Sequence, residues 1–146
     1  MKTVHSAHRT SALVLVMALV VSLGVNSSQA ATITPLSEKN INQVKSVRIG
    51  SQVSLTLHSM YWSMAKLTKS SSLTSKGAPV LKPILPGTHA PHGCGIPGSG
   101  CGTQTWNFIA SKVGATHLIA TRISCGEALR CTGTNGRFEV TVKVSR

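Results

Sequence analysis

The feature that most limits how this chain can fold lies at its C-terminal end, where Phe138, Val140, Val142 and Val144 alternate with Glu139, Thr141, Lys143 and Ser145. Successive side chains of a strand point to opposite faces, so a period of two gathers the four apolar residues on one face. A helix would scatter them around its circumference. The same period recurs upstream. Val53, Leu55 and Leu57 alternate with Ser54, Thr56 and His58. Trp106, Phe108 and Ala110 share one face, with Thr105, Asn107 and Ile109 on the other, and Leu118, Ala120 and Arg122 alternate with His117, Ile119 and Thr121. Val44 to Ile49 and Tyr61 to Leu67 are expected to add further strands. No helical period is sustained between these segments, and Ile49-Gly50, Val113-Gly114 and Thr134-Asn135-Gly136 read as turns. The pattern is all-β, and strands recurring at roughly 8–12 residues predict a sandwich. Lys69 to Gly102, rich in Ser, Gly, Pro and His, breaks the rhythm; it is expected to be an extended surface loop with a short strand near Val80-Leu81.

Ahead of the strands stands a different kind of segment. Lys2 and Arg9 precede an uncharged apolar run from Ser11 to Val25, shorter than the roughly 20 residues a membrane-spanning helix needs. Asn26-Ser27-Ser28-Gln29 then leads into small residues. This order is that of a signal-peptide helix, with cleavage expected after Ala30. The expected organisation is therefore a signal peptide at 1–30, a flexible N-terminal segment at 31–42, and one β-sandwich domain at 43–146. The mature protein would be secreted or periplasmic, a monomer without a membrane span.

Lys and Arg number 15 against 3 acids, a formal net charge of +12, and the chain has no Asp. Such a balance favours anionic partners, for which an envelope polymer is the natural exported example. Nucleic acid is disfavoured, because the basic residues are scattered singly and aromatic residues for base stacking are few. The shortage of acids also argues against an enzyme: only Glu38, Glu127 and Glu139 could serve as general acid or base, and no Gly-x-Ser-x-Gly elbow is present.

All four cysteines, Cys94, Cys101, Cys125 and Cys131, fall in the exported part, where thiols pair. Close spacing across Gly-containing turns favours Cys94 with Cys101 and Cys125 with Cys131, while pairing between the two loops stays open. His89 and His92 beside Cys94 and Cys101 have the spacing of a zinc or copper site, but oxidation removes the thiolates, so no metal or other cofactor is expected. His58 and His117 sit on polar faces and read as surface residues. Trp62, between Met60 and Met64, reads as a core residue.

From Ile49-Gly50 to Val144 the chain resembles the chagasin-like inhibitors of papain-type cysteine proteases. The likeness is carried by Gly98-Ser99-Gly100-Cys101-Gly102, then Thr103-Gln104-Thr105-Trp106-Asn107-Phe108, then Val113-Gly114-Ala115-Thr116-His117-Leu118 with Arg122 beyond, and by the last strand. The resemblance implies an immunoglobulin-like β-sandwich that occludes a papain-like protease cleft with three loops from one end, as an apolar wedge. Carried over residue by residue, the loops are Ser59, Met60, Tyr61 and Trp62; Gly98, Ser99, Gly100 and Gly102; and Arg122, Ile123 and Ser124. The first loop lacks the family's Asn-Pro-x-x-Gly, and the third keeps only the Arg of Arg-Pro-Trp. A non-inhibitory module for an envelope protein or anionic surface polymer is the alternative expectation.

Overall fold

Nine strands pack as two sheets in a computed structural model that describes residues 32–85, 94, 99–125 and 129–146. In chain order they are β1 (Ile33–Leu36), β2 (Val44–Arg48), β3 (Gln52–His58), β4 (Ser63–Met64), β5 (Leu73–Ser75), β6 (Val80–Pro83), β7 (Gly102–Ala110), β8 (Gly114–Thr121) and β9 (Arg137–Ser145). One sheet runs β1-β3-β7-β5, with β6 also pairing β7; the other runs β2-β9-β8-β4. β1 lies parallel to β3 and β2 parallel to β9, and the other pairs are antiparallel. Among the described residues the helical structure is two short 3-10 turns, Glu38–Asn40 and Gly133–Asn135. The architecture is an all-β two-sheet sandwich of immunoglobulin-like type; the proposed signal peptide lies outside the described residues.

The core follows from the alternation. Val53, Leu55 and Leu57 of β3, Trp106, Phe108 and Ala110 of β7, Leu118 and Ala120 of β8, and Phe138, Val140, Val142 and Val144 of β9 are all buried. Register keeps these faces together: Leu55 stands opposite Trp106, Val53 opposite Phe108, and Leu118 opposite Val140. A one-residue slip of β9 would turn its four apolar side chains to water, so the pairing is strongly specified.

Three segments differ from the expectation. Residues 33–36, expected in a flexible N-terminal segment, form β1 and bury Leu36. Leu73–Ser75, inside the expected surface loop, forms β5 because Leu73 is carried into the core opposite Ala110. Conversely, the strand expected over Tyr61 to Leu67 shrinks to Ser63–Met64. Trp62 there turns inward, and after Ala65 donates to the Ile119 carbonyl the chain leaves β8 for the opposite sheet.

Candidate functional site

Strand direction decides which loops meet. β3 ends at His58 beside the start of β7 and β8 ends at Thr121 beside the start of β9, and Arg122, donating to the His58 carbonyl, brings the two pairs of ends together. The segment after β3, the segment before β7 and the segment after β8 therefore emerge from one end of the sandwich. We call this end the tip.

The first two loops are hydrogen-bonded to each other. The Ser59 amide donates to the Gly102 carbonyl and the Met60 amide to the Gly100 carbonyl, each at 2.8 Å. Ser59 takes a positive φ of 109°, a conformation costly for a side-chain-bearing residue, so the turn is held by its partners rather than by preference. Two glycines are required by close approach. A Cβ on Gly100 would lie 2.0 Å from Tyr61 Cε2, and one on Gly102 would lie 2.6 Å from the Lys82 carbonyl oxygen. The Tyr61 ring thus rests on the bare backbone of the second loop, as only glycine permits.

Arg122 ties the third loop to the first. It continues the inward face of β8, so its half-buried guanidinium lies at the mouth of the core, 4.7 Å from the centre of the Trp62 ring. Its Nε donates to the Asn135 carbonyl at 2.7 Å and its Nη1 to the His58 carbonyl at 3.4 Å. Burial pushes the guanidinium pKa down, and the Glu38 carboxylate partly offsets this. An arginine remains charged at any pH at which the fold is studied. Trp62 Nε1 donates to the same His58 carbonyl at 2.8 Å, so one backbone oxygen serves both side chains.

Cys94 is joined to Cys101 and Cys125 to Cys131. Each bridge closes a short loop on the tip, stiffening the second and third loops. Beside the Cys125–Cys131 bridge, the Cys125 amide donates to the Leu129 carbonyl and the Cys131 amide to the Ile123 carbonyl.

Of the residues singled out in the sequence, Ser59, Met60, Tyr61, Trp62, Ser99, Gly100, Gly102, Arg122, Ile123 and Ser124 all belong to this end, whereas Gly98 lies outside the described residues. They divide into two groups. Trp62, only 5% exposed, and Arg122 hold the tip together from within. Tyr61 and Ile123 face outward, Ile123 being 80% exposed. Ile84, Leu85 and Leu129 extend that apolar surface, Leu85 at 73% and Leu129 at 69% exposure. Ile84 is placed there because its amide donates to the Cys101 carbonyl at 3.1 Å. A groove of about 790 Å³ runs between the loops, lined by Tyr61, Trp62, Gly100, Arg122 and Ser124.

Sequence reasoning missed the fourth segment at this end. The 3-10 turn Glu38–Asn40 lies beside β3, and Glu38 accepts from the His58 amide while its other oxygen lies 3.2 Å from His58 Nδ1. Glu38 and Ile41 line the same groove. The available clue was Ser37-Glu38-Lys39-Asn40, a polar turn sequence in which the Ser37 amide donates to Asn40 Oδ1 at 2.9 Å. Among the described residues no three His, Cys, Asp or Glu side chains are grouped to hold a metal ion; His89 and His92 lie outside the described residues. Nor is any helix among them long and apolar enough to cross a membrane.

No protein-family model and no curated protein matches the sequence. Solved structures do. The crystal structure of a cysteine protease inhibitor from Entamoeba histolytica is similar over 79% of this chain and 97% of that one, with 16% identity and a TM-score of 0.56. The solution structure of amebosin is similar over 80% of this chain and 100% of that one, with 16% identity and a TM-score of 0.51. At such identity the likeness establishes the fold, which this chain shares with an inhibitor as a distant structural relative.

Proposed function

We propose that the protein is an exported inhibitor of papain-like cysteine peptidases that acts without chemistry, by seating the tip in the active-site cleft. The observation that carries the reading is the hydrogen-bonded convergence of three loops, distant in sequence, on one end of a rigid sandwich. The fold shared with a cysteine protease inhibitor is consistent with it. In this reading Tyr61 and Ile123 supply apolar burial, Ser99 to Gly102 offers backbone that can approach a cleft closely, and Trp62 and Arg122 hold the loops in register. Both disulfides lower the ordering cost of binding, which is how a modest contact area becomes a useful affinity. The mature domain begins after a signal peptide ending at Ala30 and acts as a monomer.

Titration of several papain-like peptidases with the disulfide-bonded protein tests this. Progressive, reversible loss of activity at submicromolar concentration is expected. No inhibition of any of them at micromolar concentration rejects the proposal.

A further inference from the structure

Away from the tip, a second groove of about 680 Å³ opens in the flank where the chain leaves β4 and crosses to β5. Lys66, Lys69 and Lys112 stand around it, all exposed. Ser71, Thr74 and Ser111 contribute hydroxyls, and Leu73, Trp106 and Phe108 form the floor. Its walls are tied together. Lys112 Nζ donates to the Lys69 carbonyl at 2.8 Å, and Thr74 Oγ1 donates to Ser111 Oγ at 2.8 Å. Among the described residues no acid lines the groove. Glu38 and Glu139 are engaged elsewhere, by His58 and by Arg137. The local field is therefore positive and uncompensated, in a chain of net charge +12.

We propose that this groove binds a segment of an anionic polysaccharide. Lysine ammonium groups, each a mobile point charge with three donors, suit carboxylate or sulfate groups spaced along a sugar chain. The Ser and Thr hydroxyls match sugar hydroxyls, which both donate and accept. Met64, Leu67 and Pro79, which line the groove without being buried, offer apolar surface to the C–H face of a sugar ring. A nucleic acid fits less well, because Trp106 and Phe108 are buried and present no ring on which a base could stack. A lipid surface fits less well too, because the lysines surround a recess rather than a bulge. The site is separate from the tip and its assignment does not depend on the inhibitor reading. It would hold the protein on a glycan with the tip left open.

Calorimetric titration of the disulfide-bonded protein with a heparin hexasaccharide tests the site, with maltohexaose and polyphosphate as comparison ligands. Expected are binding to the hexasaccharide that weakens at least ~10-fold on raising salt to about 300 mM, and no binding of maltohexaose. Substituting Lys66→Gln, Lys69→Gln and Lys112→Gln together should weaken binding at least ~10-fold. The double variant Lys66→Gln and Lys69→Gln, which leaves the Lys112 hydrogen bond in place, should follow in the same direction. Removing equal charge from the other sheet, with Lys45→Gln, Arg48→Gln and Lys143→Gln, should change it less than ~3-fold. The proposal is overturned if both triple variants weaken binding equally, if polyphosphate binds as tightly as the glycan, or if the hexasaccharide does not bind.

Discussion

The two ends of the sandwich are held together by different means. At the tip, order comes from two disulfides, from Tyr61 lying on Gly100, and from Arg122 stacked on Trp62. At the opposite pole it comes from hydroxyls. Thr116 Oγ1 there meets the Ser72 amide at 2.8 Å, Ser72 Oγ at 2.7 Å and Ser71 Oγ at 2.9 Å, while Ser111 and Lys112 both donate from their amides to the Ser72 carbonyl. The pole satisfies its polar groups internally. The tip instead uses covalent links and buried aromatic packing to keep apolar side chains such as Ile123 and Leu85 exposed in fixed positions. An end built that way suits the docking proposed for it, whereas at the pole the Ser72 and Thr116 groups are spent on the fold and the exposed lysines of the groove beside them are left to meet a ligand.

Four variants sharpen or break this contrast. The largest effect is expected from Trp62→Ala, which empties the space beneath the tip and frees Arg122 from its ring. Chemical denaturation should show a loss of about 3–5 kcal/mol, with inhibition lost together with stability. A cost below ~1 kcal/mol would mean the tip does not depend on its buried anchor. Replacing Cys125 and Cys131 by Ser removes one clip and should cost about 2–3 kcal/mol by the chain-entropy account. At the pole, Thr116→Val leaves the Ser72 amide without its acceptor, and a loss of about 1–3 kcal/mol is expected while inhibition per folded molecule stays unchanged. Loss of inhibition in that variant would show that the two ends are coupled. The smallest change, and of opposite sign, is expected from Gln104→Leu. Gln104 is buried on β7 and its Oε1 has no hydrogen-bond partner among the described residues, so an apolar side chain of similar reach should raise the unfolding free energy by about 1 kcal/mol.

How much of this was legible in the sequence follows from the same physics. Strands with one wet face announce themselves by alternation, which is why β3, β7, β8 and β9 could be read directly, and why Trp62 could be read as core. β1 and β5 could not. Each is short and pairs on one side only, and the proline in Ile33-Thr34-Pro35-Leu36 and the single apolar residue in Leu73-Thr74-Ser75 give no period to detect. That three loops share one end was implied by a family resemblance carried by the strands and by Gly98 to Gly102, and the disulfide pairs were legible through spacing. Arg122 was visible as a residue but not in its role, because the carbonyls of His58 and Asn135 that receive it come from other parts of the chain. The contribution of Glu38 was hidden likewise, since the polar sequence Ser37 to Asn40 marks a turn but not a glutamate that will meet His58 across twenty residues.

The central claim is that the three loops act as one rigid recognition surface. Amide hydrogen exchange of the disulfide-bonded protein, alone and with excess papain, tests it most directly. The account predicts added protection over Ser59 to Trp62, Ser99 to Gly102 and Arg122 to Cys125 together, with no change at Ser111 to Thr116. Protection confined to one loop, or appearing at the opposite pole, would contradict it.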